Sequence, residues 1–120
     1  MRVFAVAFVL LGLACFDGRA SAHAFLNRAV PPVGGSVSTP PKELRLFFSE
    51  GIELRFSGVT LATADGKAVA TAAAQLDPGD NHQLVLPLPA LAPGNYKVTW
   101  HVVSVDTHRT EGDFTFTVRP

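Results

Sequence analysis

The sequence predicts an all-β domain, either a Greek-key barrel or a sandwich of about seven antiparallel strands. Three observations lead to this fold class. Apolar and polar residues alternate with a period of two, turn-forming pairs of Pro, Gly and Asp separate these runs, and no stretch carries the apolar stripe of an amphipathic helix. Short strands with frequent turns are typical of sandwiches and barrels.

The first 22 residues predict a cleaved export signal rather than part of the domain. Arg2 precedes the apolar run 3–16, and Ala20-Ser21-Ala22 has the small-residue pattern that signal peptidase recognises. The run is shorter than the ~20 residues that a membrane-spanning helix needs. Cleavage after Ala22 would leave a domain of residues 23–120. We therefore expect secretion across the inner membrane to the periplasm, without membrane insertion after processing.

The predicted mature domain is nearly neutral and contains no sulfur. The full chain has ten Lys and Arg residues and ten Asp and Glu residues, of which eight and nine remain after the loss of Arg2, Asp17 and Arg19. Their scattered positions argue against nucleic acid or an anionic membrane as partner. Met1 and Cys15 both lie in the predicted signal, so disulfides and thiol chemistry are excluded. Lipidation of Cys15 is disfavoured because Gly12 stands where such signals carry a large aliphatic residue. The domain is expected to be a monomer.

The elements follow from these patterns in chain order. Alternating residues predict strands over 44–49, 84–88 and 114–119. Asp65-Gly66 predicts a tight hairpin turn, because Gly tolerates the positive φ that such a turn requires. The Ala-rich run 68–74 is interpreted as a strand or an irregular edge.

A corner and a long strand are predicted around Tyr96. The Pro93-Gly94 turn places this Tyr at a strand start, where it is either a tyrosine corner that bonds back to the preceding loop or an ordinary core residue. Trp100 shares its parity and is predicted in the core. His101 has the opposite parity and is predicted on the surface, and His82 is predicted in a polar loop.

The candidate metal ligands are His23, Asp106 and His108. Asp106 and His108 lie two apart, so in an extended strand both would point to the same side. Alone, this pair is equally typical of a turn Asp beside a surface His. Signal cleavage would add His23, whose free α-amine and Nδ1 can close a six-membered chelate ring. One amine, two imidazoles and one carboxylate suit tetragonal Cu(II), with zinc as a weaker competitor.

The sequence also resembles the CopC family of periplasmic copper-binding and copper-resistance proteins over the whole predicted mature domain. The resemblance rests on His23 directly after the signal and on a set of motifs along the chain. These motifs are Pro31-Pro32, Gly34-Gly35, Leu46-Phe47-Phe48-Ser49-Glu50, Phe56-Ser57-Gly58, Leu91-Ala92-Pro93-Gly94-Asn95-Tyr96-Lys97-Val98-Thr99-Trp100 and Val102-Val103-Ser104-Val105-Asp106-Thr107-His108.

This resemblance implies a cupredoxin-like, Ig-like Greek-key fold and one Cu(II) per chain, held by His23, Asp106 and His108. Glu50 matches a carboxylate near the copper in the family, where it would orient a ligand or a bound water. Some family members hold Cu(I) on a Met-rich loop, but the corresponding region 62–75 contains no Met. The expected form has a single Cu(II) site.

The resulting hypothesis is a periplasmic Cu(II) carrier without enzymatic activity, which passes copper to an inner-membrane transporter of the CopD type. One alternative is a metal-free Ig-like interaction module. Another is a copper monooxygenase that uses an amino-terminal histidine, although Asp106 would occupy a position that oxygen needs and no flat aromatic face is predicted.

Overall fold

The computed structural model describes residues 23–120, which form two facing β-sheets. One sheet has the strand order β1-β3-β7-β6 and the other the order β2-β9-β8-β4-β5. The strands are β1 (Leu26–Val30), β2 (Ser36–Val37), β3 (Glu43–Phe48), β4 (Gly58–Thr63), β5 (Ala68–Val69), β6 (Gln75–Asp77), β7 (Asp80–Pro87), β8 (Gly94–Val103) and β9 (Arg109–Val118). A single 3-10 turn, Leu54–Phe56, precedes β4.

This architecture confirms the all-β prediction in its sandwich form. The sheets pack face to face and do not close into a barrel. The described chain has nine strands rather than about seven, and β2 pairs with β9 in parallel. Three of the nine strands, β2, β5 and β6, have only two or three residues and are too short to show a period. The Ala-rich run accordingly contributes only Ala68–Val69 as a strand.

The core lies between the two sheets, and most of it comes from the apolar residues at alternate strand positions. Strands β3, β7, β8 and β9 each turn alternate residues inward. The central members of the core are Leu44, Leu46, Phe48, Leu84, Leu86, Tyr96, Val98, Trp100, Val102, Phe114, Phe116 and Val118. The predicted outward position of His101 is also confirmed, since it is half-buried on the same side of β8 as the exposed Thr99 and the half-buried Val103.

The predicted turn at Asp65-Gly66 joins β4 to β5. The amide of Gly66 donates to the Thr63 carbonyl at 2.9 Å, and Gly66 has a φ of 88°. A side chain at this φ would be strained, which explains why Gly occupies the position.

Tyr96 is a tyrosine corner. Its hydroxyl donates to the Ala92 carbonyl at 2.6 Å, and its ring stacks on Phe116 with centroids 5.5 Å apart. The bond ties the loop before β8 back onto the five-stranded sheet, which fixes where this long strand begins.

Tyr96→Phe is expected to lower the free energy of unfolding by about 1 kcal/mol, the usual net contribution of one hydrogen bond. The ring and its stacking on Phe116 remain, so only the corner bond is lost. Urea unfolding followed by the fluorescence of Trp100 measures the change. An unfolding midpoint equal to that of the unaltered protein would show that the corner contributes nothing to stability.

The predicted export signal, residues 1–22, lies outside the described residues and stays a prediction. Within residues 23–120, no helix has the length and apolar character required to cross a bilayer.

Candidate metal centre

The structure brings the predicted ligands together at the end of the sandwich where the β8–β9 turn meets the segment before β1. The imidazole rings of His23 and His108 lie edge to face, with centroids 4.7 Å apart and planes at 62°. Nδ1 of His108 lies 3.5 Å from Oδ2 of Asp106. His108 therefore meets both Asp106 from its own turn and His23, which lies 85 positions earlier in the sequence.

The turn that carries Asp106 and His108 differs from the extended strand that the sequence predicts. Strand β8 ends at Val103, and the chain folds back so that the Ser104 amide donates to the His108 carbonyl at 2.9 Å. Thr107 closes the turn with a φ of 76°. A tight turn, not strand periodicity, places the carboxylate and the imidazole on the same side.

Ser104 holds the Asp106 carboxylate in place. This serine is fully buried, its hydroxyl donates to Oδ1 of Asp106, and Ile52 pairs with it across the sheets. The Ser104 hydroxyl lowers the pKa of the Asp106 carboxyl below its ordinary value, against a smaller desolvation effect, and His108 lowers it further. Asp106 is therefore ionised at neutral pH and available as an anionic ligand.

Ser104→Ala is expected to move the pKa of the Asp106 carboxyl back up, because the hydroxyl that favours its charged form is lost. The depressed pKa stabilises the metal-free fold above the carboxyl's unfolded pKa, and this stabilisation is lost as the pH falls through the folded pKa. Carboxyl carbon NMR measures the titration directly. An identical titration midpoint in the variant and the unaltered protein would contradict this assignment.

His23 has a ring nitrogen that the fold leaves without a partner. Its Nδ1 is buried and forms no hydrogen bond with another described residue. Buried polar atoms almost always form hydrogen bonds, so a buried nitrogen without one is suited to act as a metal ligand. The ring spacing fits as well: imidazoles bound at about 2.0 Å and at right angles around one ion have centroids on the order of 4.5 Å apart.

The donor set is nevertheless incomplete as the side chains stand. Within residues 23–120, no group of three or more His, Cys, Asp or Glu side chains is already gathered to hold a metal ion. Two further features bear on ligation. The α-nitrogen of His23 is an amide while Ala22 precedes it, and Nδ1 of His108 is turned toward Asp106. Ligation by the three residues therefore stays a prediction that requires a free α-amine.

Two hydroxyls that sequence reasoning missed hold the His23 segment in place. Ser49, just after β3, accepts from the Phe25 amide at 2.8 Å and donates to the His23 carbonyl at 3.3 Å. Thr110, in β9, donates to the Ala24 carbonyl at 2.7 Å. Because partners 24 or more residues apart make these bonds, no local signal in the sequence identifies them.

Glu50 lies beside the site through its neighbours in the chain. Ser49 contacts the His23 segment, and the Gly51 carbonyl accepts from the Val105 amide at 2.9 Å. Glu50 is half-buried, and among the described residues its carboxylate forms no hydrogen bond or ion pair. Its predicted role next to a metal stays a prediction.

The other histidines lie away from this centre. His101 packs over Gly58, where the imidazole Cε1 lies 2.8 Å from the place a Cβ would occupy, so a larger residue at position 58 would displace the ring. The predicted loop position of His82 is wrong, because the residue is exposed within β7. Trp100 is a core residue as predicted, with its ring 5.2 Å from that of Phe48.

Fold and site together define a small β-sandwich domain with a candidate metal centre at its amino-terminal edge. The CopC domain model matches residues 26–119, and the chain belongs to the CopC family. Protein YobA from Escherichia coli K12 is 41% identical over 99 residues, covering 82% of this chain and 80% of YobA. Copper resistance protein C from Escherichia coli is 36% identical, covering 83% and 84% of the two chains.

Solved structures show the same fold. CopC from Methylosinus trichosporium OB3b superposes with a TM-score of 0.77 at 36% identity, over 82% of this chain and 95% of that one. PcoC from Escherichia coli, described as a methionine-rich copper resistance protein, gives a TM-score of 0.74 at 34% identity. All of that solved chain aligns with 82% of this one.

Proposed function

We propose that residues 23–120 form a periplasmic Cu(II)-binding protein that sequesters and carries copper. The observation that carries this proposal is the contact between the rings of His23 and His108, whose centroids lie 4.7 Å apart, with Nδ1 of His23 buried and without a hydrogen-bond partner among residues 23–120. Relatives named copper resistance protein C, together with one named copper transport protein CutJ, favour copper as the cargo.

The proposed ligands are the α-amine and Nδ1 of His23, the imidazole of His108 and the carboxylate of Asp106. Three nitrogens and one oxygen in a tetragonal arrangement suit Cu(II), which also binds such donors more tightly than zinc does. The ionised state of Asp106 at neutral pH supplies the anionic oxygen. Protons compete for the nitrogen donors, so acid favours release of the ion.

A second site for Cu(I) is not proposed for this chain. Cu(I) prefers thiolate and thioether ligands. The chain's single Met and single Cys are Met1 and Cys15, both in the predicted signal. In this respect the chain differs from PcoC, which is a methionine-rich copper resistance protein.

The proposed role is carriage rather than catalysis, with delivery to an inner-membrane copper transporter of the CopD type. A carboxylate in the fourth ligand position leaves the ion without the open position that oxygen activation requires. Residues 1–22 would direct export and then be removed.

Titration of the protein that begins at His23 with Cu(II) tests this proposal. One equivalent is expected to bind saturably and to quench the fluorescence of Trp100. His101→Ala, which alters a histidine on the outer side of β8, is expected to bind the same single equivalent. The absence of saturable binding would contradict the proposal and favour a metal-free interaction module.

A further inference from the structure

Main-chain groups of residues 23–25 form hydrogen bonds with Ser49 and Thr110, which lie in or directly after strands of different sheets of the sandwich. The His23 carbonyl and the Phe25 amide bond to the Ser49 hydroxyl at 3.3 and 2.8 Å. The Phe25 carbonyl accepts from the Ser49 amide at 2.9 Å, and the Ala24 carbonyl accepts from Thr110 at 2.7 Å.

The two hydroxyls come from opposite layers of the sandwich. Ser49 follows β3 of the four-stranded sheet, whereas Thr110 lies in β9 of the five-stranded sheet. Between them, the Ala24 side chain is completely buried in the core. The segment before β1 is therefore held by hydrogen bonds to both sheets and by the burial of Ala24, although a chain terminus is ordinarily free to move.

We propose that Ser49 and Thr110 are positioning residues that set the affinity and geometry of the Cu(II) site through the main chain of His23. This inference rests on the proposed function. A free terminus would have to be ordered at the moment of metal binding, and that ordering would weaken the affinity. The two hydroxyls order it beforehand, with the His23 ring already 4.7 Å from the His108 ring, centroid to centroid.

The segment from Ser49 to Gly51, which includes Glu50, also contacts the turn that carries Asp106. Two residues after Ser49, the carbonyl of Gly51 accepts a hydrogen bond from the Val105 amide at 2.9 Å. The same short segment thus holds the histidine at the amino end and the residue before Asp106. Ser49 is thus linked to His23 directly and to the turn that carries Asp106 through Gly51.

Ser49→Ala and Thr110→Val test the proposal in the protein that begins at His23. Each variant is expected to bind Cu(II) about tenfold to hundredfold more weakly, the usual effect of removing a group that supports a metal ligand. Each is also expected to change the copper hyperfine splitting in the electron paramagnetic resonance spectrum, which a change in stability alone would not do. Ser49→Thr and Thr110→Ser, which keep the hydroxyls, are expected to restore both properties.

Matched controls separate positioning from general stability. Ser57 likewise donates to one carbonyl, that of Glu53 at 2.8 Å, and accepts from one amide, that of Val103 at 3.0 Å. Thr117 lies on β9 at the other end of the sandwich and bonds Asn95 at 2.6 Å. Ser57→Ala and Thr117→Val are expected to leave copper affinity and spectrum unchanged.

The outcomes distinguish this inference from the proposed function. If the unaltered protein binds copper and both Ser49→Ala and Thr110→Val match it in affinity and spectrum, the positioning role is wrong while the copper function stands. Equal losses in the Ser57 and Thr117 controls would also overturn it. If the unaltered protein binds no copper, the proposed function itself fails. Thr110→Val preserves side-chain shape, so it decides the question even if Ser49→Ala does not fold.

Discussion

Retention of Ala22 before His23 is expected to weaken Cu(II) binding by a hundredfold or more. The peptide bond converts the α-amine into an amide, which removes one of the four proposed donors and opens the chelate ring at His23. Two donors on one residue bind at a high effective concentration, and an ion held without that chelate loses the advantage. Competition with a chelator of known affinity measures the difference.

A matched extension provides the control for this experiment. An Ala added after Pro120 lengthens the chain equally but leaves the His23 amine free. That protein is expected to bind copper as the unextended one does. Equal affinities for all three proteins would mean that the amine is not a ligand, and the requirement for signal cleavage would be wrong.

His108→Ala is expected to have the other large effect, a loss of about a hundredfold in Cu(II) affinity. The substitution removes the imidazole that lies 4.7 Å from that of His23, together with the partner 3.5 Å from Asp106. The side chain is about half exposed, so the fold loses little buried surface. Isothermal titration or chelator competition measures the affinity, and urea unfolding checks that the domain remains folded.

His101→Ala supplies the comparison for His108→Ala. Both variants remove one imidazole, but His101 lies over Gly58 on the outer side of β8. Copper affinity that falls equally in both variants would contradict a specific site at the β8–β9 turn. Asp106→Asn is expected to have a smaller effect than His108→Ala, because its amide oxygen remains a donor but carries no charge.

Much of the fold could be predicted because burial imposes a period of two on a strand. Leu44, Leu46 and Phe48 all share one parity and all lie in the core. The turn at Gly66 was predictable because its positive φ favours Gly. At Tyr96 the sequence left a tyrosine corner and an ordinary core residue open, and the hydroxyl bond to Ala92 decides for the corner. Strands of two or three residues carry no period, and for that reason the strand count was too low.

The sequence nominates His23, Asp106 and His108 as ligands, which stays a prediction, and the local geometry of these residues was not predictable. The spacing of Asp106 and His108 gave the correct side for the wrong reason, because a turn with φ 76° at Thr107 replaces the expected extended strand. The hydrogen bonds from Ser49 and Thr110 to the His23 segment join residues that are far apart in the sequence. Such contacts leave no local pattern in a single sequence.

Counting the nitrogen donors on bound Cu(II) tests the central claim most directly. We expect pulsed electron paramagnetic resonance of the copper-loaded protein, with and without ¹⁵N-histidine, to detect three coupled nitrogens at one ion, all three from histidine residues. His108→Ala should remove one of them. A spectrum that does not respond to the histidine label, or that His108→Ala leaves unchanged, would show that the ion binds elsewhere and that His23 and His108 meet for another reason.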